Sequence, residues 1–193
     1  MNSICFIDRD GVINEMVDRG EIRGGDGRLL RYSAPWRYSE FRLQPGVREA
    51  LIKLGRLGFL RIVVTNQPDL AYGRLLSEDH ALMMSGLARL PLEDIYICPH
   101  PSSEGCYCHK PKPGMLLAAA RKWHGDLSRS FIIGDTRSDI GAGRAAGCKT
   151  ILVRAPYNQG LEADFYADDL FGAALLIRQL LEGGYNDFIH RHG

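Results

Sequence analysis

Short apolar runs alternate along this chain with stretches of helical periodicity, and this alternation limits the folds open to it. The runs cover residues 4–7, 61–64, 94–97, 131–133 and 150–153. They are rich in β-branched residues and carry charge only at a first residue, which is typical of buried parallel strands. Strands that alternate with helices predict an α/β fold, an open parallel sheet with helices on both faces.

The predicted helices lie between and after these strands. They cover residues 47–57, 78–90, 114–124, 138–146 and 170–182. Ser77 is a suitable N-cap for the second helix, while Gly58 and Gly125 suit the ends of the first and third. Residues 15–44 fit neither pattern and are too long for a simple connection, so we expect an irregular insertion there.

Size and charge favour a single domain without a charged partner. The chain has 193 residues and a formal net charge of +1, which gives no overall attraction to nucleic acid or a membrane. It has no apolar stretch near the ~20 residues that span a bilayer, and its N-terminus does not resemble a signal peptide. We therefore expect one domain over 1–193, a cytoplasmic monomer with no nucleic acid or membrane partner.

Two carboxylates follow the first predicted strand directly, as Asp8 and Asp10 in Asp-Arg-Asp-Gly. Ligand sites of parallel sheets lie at the carboxyl ends of the strands. One carboxylate there could attack phosphorus while the other transfers a proton to the leaving oxygen. A solvated turn is the alternative, because Asp and Gly are common in turns.

Other strand ends and loops supply complementary groups. Thr65 ends the second strand and offers a hydroxyl, although Thr-Asn is also typical of a helix cap. Lys110, with Lys112 as a rival, could balance the charge of a transferring phosphoryl group. Asp135 ends the fourth strand, and Asp139 lies one turn later, where the helix dipole also favours an acidic residue.

Residues 6–14, Phe-Ile-Asp-Arg-Asp-Gly-Val-Ile-Asn, resemble the first motif of the haloacid dehalogenase superfamily of phosphohydrolases. The resemblance implies a Rossmann-like fold with small insertions instead of a large cap. It also implies that Asp8 becomes an aspartyl phosphate and that Asp10 is the general acid and base. Mg²⁺ would be bound by Asp8, the Asp10 carbonyl and Asp135, with Asp139 in support.

The same resemblance assigns the phosphate site. Thr65 matches the phosphate-binding residue of the second motif, and Asn66 and Gln67 match a subfamily pattern. Lys110 in Lys-Pro matches the third motif. The family usually has Arg before this lysine, where the present chain has His109, which we expect to contact substrate.

Three thiols and an imidazole occur within eleven residues of the sequence, in the order Cys98, His100, Cys106 and Cys108. Four such ligands suit tetrahedral Zn²⁺ and leave no open position, which predicts a structural zinc loop over 98–108. The alternative is four unrelated residues. A zinc loop before Lys-Pro resembles the branch that contains heptose 1,7-bisphosphate and histidinol-phosphate phosphatases, and the heptose enzymes are the closer match.

The expected activity is therefore Mg²⁺-dependent hydrolysis of a small sugar phosphate, with removal of the 7-phosphate of D-glycero-D-manno-heptose 1,7-bisphosphate as the preferred reaction. Histidinol phosphate is the alternative substrate. A phosphotransferase and a non-catalytic, zinc-stabilised binding module are alternatives of other classes. Arginines are frequent in the insertion, and we expect one of them to contact a second phosphate or the sugar; they are Arg19, Arg23, Arg28, Arg31 and Arg37.

Overall fold

The apolar runs form strands in the computed structural model of the protein, which describes residues 1–23, 27 and 29–183. The strands are β1 (Ser3–Ile7), β2 (Val17–Arg23), β3 (Leu29–Ser33), β4 (Phe59–Asn66), β5 (Asp94–Cys98), β6 (Phe131–Gly134), β7 (Lys149–Val153) and β8 (Phe165–Ala167). The helices are α1 (Val47–Arg56), α2 (Ser77–Leu87), α3 (Gly114–Lys122), α4 (Arg137–Ala146) and α5 (Leu170–Glu182).

Within these described ranges, β1 lies inside a six-stranded sheet of order β5-β4-β1-β6-β7-β8. Every pairing in this sheet is parallel. All of its strands therefore point their carboxyl ends to one edge, and β1 has β4 and β6 as direct neighbours. Residues that follow β1, β4 and β6 consequently meet at the middle of that edge.

Both faces of the sheet are buried, as the parallel arrangement requires. Cys5 and Ile7 of β1 point into one core, which α1 and α5 cover. Ile4 and Phe6 point to the opposite face, where side chains of α3 and α4 form a second core. This alternation explains why β1 is apolar at every position and confirms the predicted open parallel sheet with helices on both faces.

The predicted strands and helices are confirmed, with ends shifted by at most a few residues. Two details differ. Strand β8 was not predicted, because three residues are too few to show a period. Ser77 is not the N-cap of α2 but its first residue, and Leu76 occupies the cap position without a side-chain cap hydrogen bond.

The insertion 15–44 contains regular structure, so the expectation of an irregular segment was wrong. Strands β2 and β3 pair antiparallel as a hairpin with an irregular register between Asp18 and Ile22. The alternating pattern was hidden because this hairpin is largely exposed and has little apolar side-chain content. The hairpin is the small insertion that stands in place of a large cap.

The arginines of the insertion bind the protein itself. Arg19 pairs with Glu40 at 2.7 Å and lies 3.8 Å from the ring centroid of Trp36. Arg31 pairs with Asp18, Arg37 donates to a main-chain carbonyl of residue 74, and Arg23 donates to that of residue 27. Arg28 lies outside the described residues. A contact between one of these arginines and substrate stays a prediction.

None of the helices in the described part of the chain has both the length and the apolar character needed to cross a membrane.

Candidate active site

Three carboxylates meet at the middle of the sheet edge. Asp8 follows β1, Asp135 follows β6 and Asp139 lies in the first turn of α4. One oxygen from each lies within 4.8 Å of the others, and all three residues are buried. Carboxylates this close repel one another in a medium of low dielectric, so a cation is needed among them.

Lys110 supplies a positive charge to this cluster. Its Nζ donates to Asp8 Oδ1 at 2.8 Å, to Asp139 Oδ1 at 2.5 Å and to the Val64 carbonyl oxygen at 2.8 Å. Burial by itself would lower the pKa of Lys110, but Asp139 and Asp8 outweigh it and raise that pKa above its usual value. Lys110 therefore stays charged and lies beside the carboxylate expected to attack phosphorus.

One lysine does not neutralise three carboxylates. Burial raises the pKa of Asp8 to about 7, and Asp139 and Asp10 add to that rise while Lys110 opposes it. Burial raises the pKa of Asp135 as well, again with help from Asp8 and Asp139. The cluster thus has an excess of negative charge that a divalent cation would remove.

The acceptors available at this point fit Mg²⁺. Asp135 Oδ1 is buried and has no hydrogen-bond partner among the described residues. Mg²⁺ is typically held by one or two carboxylates, waters and a substrate phosphate. Asp8 and Asp135 provide such a pair, whereas the Asp10 side chain is bound elsewhere. Binding of Mg²⁺ by the main-chain carbonyl of Asp10 stays a prediction.

Asp139 makes contacts with the helix start and with Lys110. Its Oδ2 accepts from the Thr136 N–H at 3.0 Å and from the Thr136 hydroxyl, which closes a capping box at the start of α4. Its Oδ1 accepts from Lys110. The capping contacts with Thr136 therefore fix the orientation of the Asp139 carboxylate, and this carboxylate in turn fixes the position of Lys110 Nζ.

The carboxylate of Asp10 lies in a group of side-chain donors. Arg9 donates to both of its oxygens at 2.8 and 2.9 Å, Asn14 donates to Oδ1 at 3.0 Å and Gln67 donates to Oδ2 at 2.7 Å. Arg9 and Asn14 are completely buried and Gln67 nearly so. The group therefore orients the Asp10 carboxylate firmly.

Thr65, Asn66 and Gln67, the residues of the second motif, make different contacts. Gln67 Nε2 also donates to Thr65 Oγ1 at 2.9 Å, which leaves the hydroxyl hydrogen of Thr65 able to donate to a phosphoryl oxygen. Asn66 forms a two-way amide pair with the Lys110 main chain at 3.0 and 3.1 Å. Its side chain therefore ties β4 to the loop that carries Lys110.

His109 lies beside that amide pair. Its Nδ1 lies 2.8 Å from the Lys110 carbonyl oxygen and 3.3 Å from Asn66 Nδ2. A ring nitrogen that donates to its neighbour's carbonyl stiffens the loop. Contact of His109, Asn66 or Gln67 with substrate stays a prediction.

Several residues of this site were not predicted as functional. Arg9 was passed over because a charged residue between two aspartates suggests a solvated turn, and only the folded chain buries it. Asn14 lies four residues after Asp10, and its amide gave no separate signal. Tyr157 and Asn158 lie after β7, far along the chain, and donate to the Asp135 carboxylate and carbonyl.

The predicted zinc ligands form a second, separate cluster. Cys98, His100, Cys106 and Cys108 each place one ligand atom within 4.8 Å of the others. Sulfur–sulfur distances are 3.1, 3.4 and 3.5 Å, a little under the ~3.8 Å edge of a tetrahedron with Zn–S bonds of about 2.3 Å. Burial raises the pKa of the Cys98 thiol to about 12, so a bound cation is what would keep it ionised at neutral pH.

We expect the metal-free protein to lose stability as the pH rises from about 4 to about 7. Asp8 has an ordinary pKa of 3.8 when unfolded and about 7 when folded, so the folded state holds its proton over this range. Below that range the group is protonated in both states, and above it the folded state carries the unfavourable charge. The loss is a few kcal/mol, because one pKa unit corresponds to about 1.4 kcal/mol. Urea unfolding at a series of pH values checks this, with Asp8→Asn as a control that should flatten the slope.

Comparison with known proteins agrees with this geometry. A family model described as HAD-hydrolase-like matches residues 107–170. A D-glycero-β-D-manno-heptose-1,7-bisphosphate 7-phosphatase of Pasteurella multocida is 36% identical over 168 residues, which cover 80% of this chain and 83% of that protein. The chain belongs to the haloacid dehalogenase-like hydrolases. Phosphatases of this family are Mg²⁺-dependent phosphoric monoester hydrolases, and the chain is one of these phosphatases.

Two further relatives of the family extend over nearly the whole chain. A heptose-1,7-bisphosphate 7-phosphatase of Haemophilus influenzae is 33% identical over 199 residues and covers 93% of this chain and 99% of that protein. The crystal structure of D,D-heptose 1,7-bisphosphate phosphatase from B. bronchiseptica, complexed with magnesium and phosphate, has a TM-score of 0.73 and 30% identity. It covers 95% of this chain and 100% of that one. The predicted family and fold are confirmed.

Proposed function

We propose that this phosphatase removes the 7-phosphate of D-glycero-D-manno-heptose 1,7-bisphosphate through an aspartyl phosphate on Asp8. The observation that carries the chemistry is the contact of Asp8 with Lys110 beside Asp135, at the edge where substrate reaches a parallel sheet. The substrate rests on the relatives, which are named for this reaction.

In the first step, an Asp8 oxygen attacks phosphorus and the bond from phosphorus to the sugar oxygen breaks. Asp10, protonated and rotated toward the substrate, gives its proton to that leaving oxygen. Thr65 and Lys110 donate to the other phosphoryl oxygens and stabilise the charge that they carry. Bound Mg²⁺, held by Asp8, the Asp10 carbonyl and Asp135, would supply further charge neutralisation at the phosphoryl group.

In the second step, the ionised Asp10 takes a proton from a water molecule, which attacks phosphorus and releases inorganic phosphate from Asp8. Asp10 recovers its proton, and Asp8 recovers its carboxylate. Arg9, Asn14 and Gln67 donate hydrogen bonds to the Asp10 carboxylate and orient it when it is not turned toward the substrate.

Zinc would have a structural role in this enzyme. The loop 98–108 leads directly into His109 and Lys110, so a metal bound by its four ligands would hold the lysine's chain segment in place. The thiols must be reduced to bind it, which agrees with a cytoplasmic location. We treat 1–193 as a single phosphatase domain, with 15–44 and the zinc loop as its insertions; a monomeric state stays a prediction.

A substrate panel tests the proposal. Both anomers of heptose 1,7-bisphosphate, the corresponding heptose 7-phosphate and histidinol phosphate are incubated with enzyme and Mg²⁺, and released phosphate and product are identified. We expect kcat/KM for one bisphosphate anomer to exceed that for histidinol phosphate by at least about 100-fold. A site that hydrogen-bonds the sugar would leave its buried polar groups unpaired when histidinol phosphate binds. A preference for histidinol phosphate, or release of the 1-phosphate, would overturn the assignment.

A further inference from the structure

The loop 154–158, which follows β7, is bound to Asp135 twice. The Tyr157 hydroxyl donates to Asp135 Oδ2 at 2.5 Å. The side-chain amide of Asn158 donates to the Asp135 carbonyl oxygen at 2.7 Å and to the Val153 carbonyl oxygen at 2.8 Å. One loop therefore fixes both the side chain and the main chain of Asp135 and is itself held at the end of β7.

The two oxygens of Asp135 are consequently not equivalent. Oδ2 is engaged by Tyr157, whereas Oδ1 is buried without a partner among the described residues. The side chain of Asp135 is completely buried, so water does not compensate Oδ1 freely. A carboxylate held at one oxygen keeps the other directed as a ready ligand, as partners of metal-binding side chains commonly do.

Gly11 leaves the space for this contact. A Cβ at residue 11 would lie 2.1 Å from Asp135 Oδ2 and 2.8 Å from the Tyr157 hydroxyl oxygen, far inside van der Waals contact. The φ of Gly11 is also +83°, in the left-handed region that favours glycine. The turn after Asp10 therefore accommodates a hydroxyl that comes from a loop more than 140 residues further along the chain.

The insertion supports the ring of this tyrosine. Tyr32 of β3 lies beside Tyr157, with ring centroids 5.1 Å apart and a tilt of 46°. Tilted aromatic pairs at such distances are favourable contacts beyond the area that they bury. Tyr157 is 38% exposed, so this ring contact and the hydrogen bond to Asp135 both restrain its orientation.

We propose that Tyr157 is a positioning residue for the metal site, holding Asp135 for Mg²⁺, and that Tyr32 extends this support from the insertion hairpin. The inference rests on the proposed function, in which Asp135 binds the metal. It gives the hairpin β2–β3 a role in metal affinity, separate from any role in choosing substrate.

Tyr157→Phe removes only the hydroxyl and tests this directly. Mn²⁺ binding, followed by the electron paramagnetic resonance of free Mn²⁺, should weaken about tenfold, within the range found for such partners. The Mg²⁺ concentration that half-activates hydrolysis of p-nitrophenyl phosphate should rise by the same factor. At saturating Mg²⁺ kcat should return to near the wild-type value, a rescue that a damaged fold would not show.

Two further variants complete the test. Tyr38→Phe is the matched control, since Tyr38 is exposed, stacks on Phe41 and should bind Mn²⁺ as the wild type does. Tyr32→Leu should weaken Mn²⁺ binding in the same direction but less. Unchanged Mn²⁺ affinity in Tyr157→Phe would overturn the inference even if the wild type is an active phosphatase. If Tyr157→Phe binds Mn²⁺ more weakly than the wild type does, but the wild type hydrolyses no phosphate ester, the inference stands and the proposed function is refuted.

Discussion

Replacing Asp8 by Asn should reduce phosphatase turnover by a factor on the order of 10⁴ or more, the scale expected when a covalent nucleophile is removed. The amide can still accept a hydrogen bond from Lys110, so the neighbouring geometry is retained while the attacking oxygen is lost. Steady-state release of phosphate from p-nitrophenyl phosphate at saturating Mg²⁺ measures the loss. Acid-quenched wild-type enzyme should also contain a phosphorylated peptide with Asp8, which the variant lacks.

Stability separates this chemical defect from misfolding. The substitution removes one charge from the buried carboxylate cluster, where burial already raises the pKa of Asp8 to about 7. The metal-free variant should therefore be at least as stable as the wild type above pH 7. Asp168→Asn, at an exposed side chain that pairs with Arg154 on the surface, is the control and should keep full activity. Near-normal turnover by Asp8→Asn would refute the covalent step.

Loss of zinc should be the largest effect on stability. Cys106→Ser removes one ligand of the Cys/His cluster, and structural zinc sites contribute folding free energy directly. We expect zinc content to fall from about one equivalent to near zero and the unfolding temperature to fall by about 10 °C, which corresponds to several kcal/mol for a chain of this size. Activity should fall as well, because this loop leads directly into His109 and Lys110.

Elemental analysis and thermal unfolding of matched variants check this prediction. Cys148→Ala is the control: Cys148 is buried in the core beside α4, away from the four Cys/His residues, so zinc content should stay at one equivalent. Added chelator should lower the unfolding temperature of the wild type and leave Cys106→Ser unchanged. A purified wild type without zinc, equally stable with and without chelator, would show that the four residues are not a metal site.

The local sequence pattern was sufficient to predict the strands and helices and the functional side chains that follow the strands. The alternation of apolar runs and helical stretches predicted the strands that place Asp8, Thr65 and Asp135, because burial on both faces demands apolar residues at every position. The grouping of Cys98, His100, Cys106 and Cys108 was also predicted, since the four residues lie within eleven positions and need little tertiary information. Strand β2 was missed because its residues are half-buried or exposed, so it lacks the continuous apolar run that marked the other strands.

Contacts between segments that are distant in the sequence could not be predicted from the local pattern. Arg9 looked like a surface residue, yet it is completely buried because Asp10 and Gln67, 58 residues away, give its guanidinium partners. Tyr157 contacts Asp135, which lies 22 residues before it, and Tyr32, which lies 125 residues before it. Nothing local to these side chains distinguishes them from ordinary polar residues.

The sequence alone determined that Asp8 and Asp10 follow a buried strand of an α/β sheet and belong to a phosphohydrolase motif. Only the tertiary structure decided how the two differ: Asp8 joins Lys110, Asp135 and Asp139 in a buried cluster, while Asp10 is held by Arg9, Asn14 and Gln67. The physical reason is that pKa, charge balance and orientation depend on burial and on neighbours in space, which spacing along the chain does not specify.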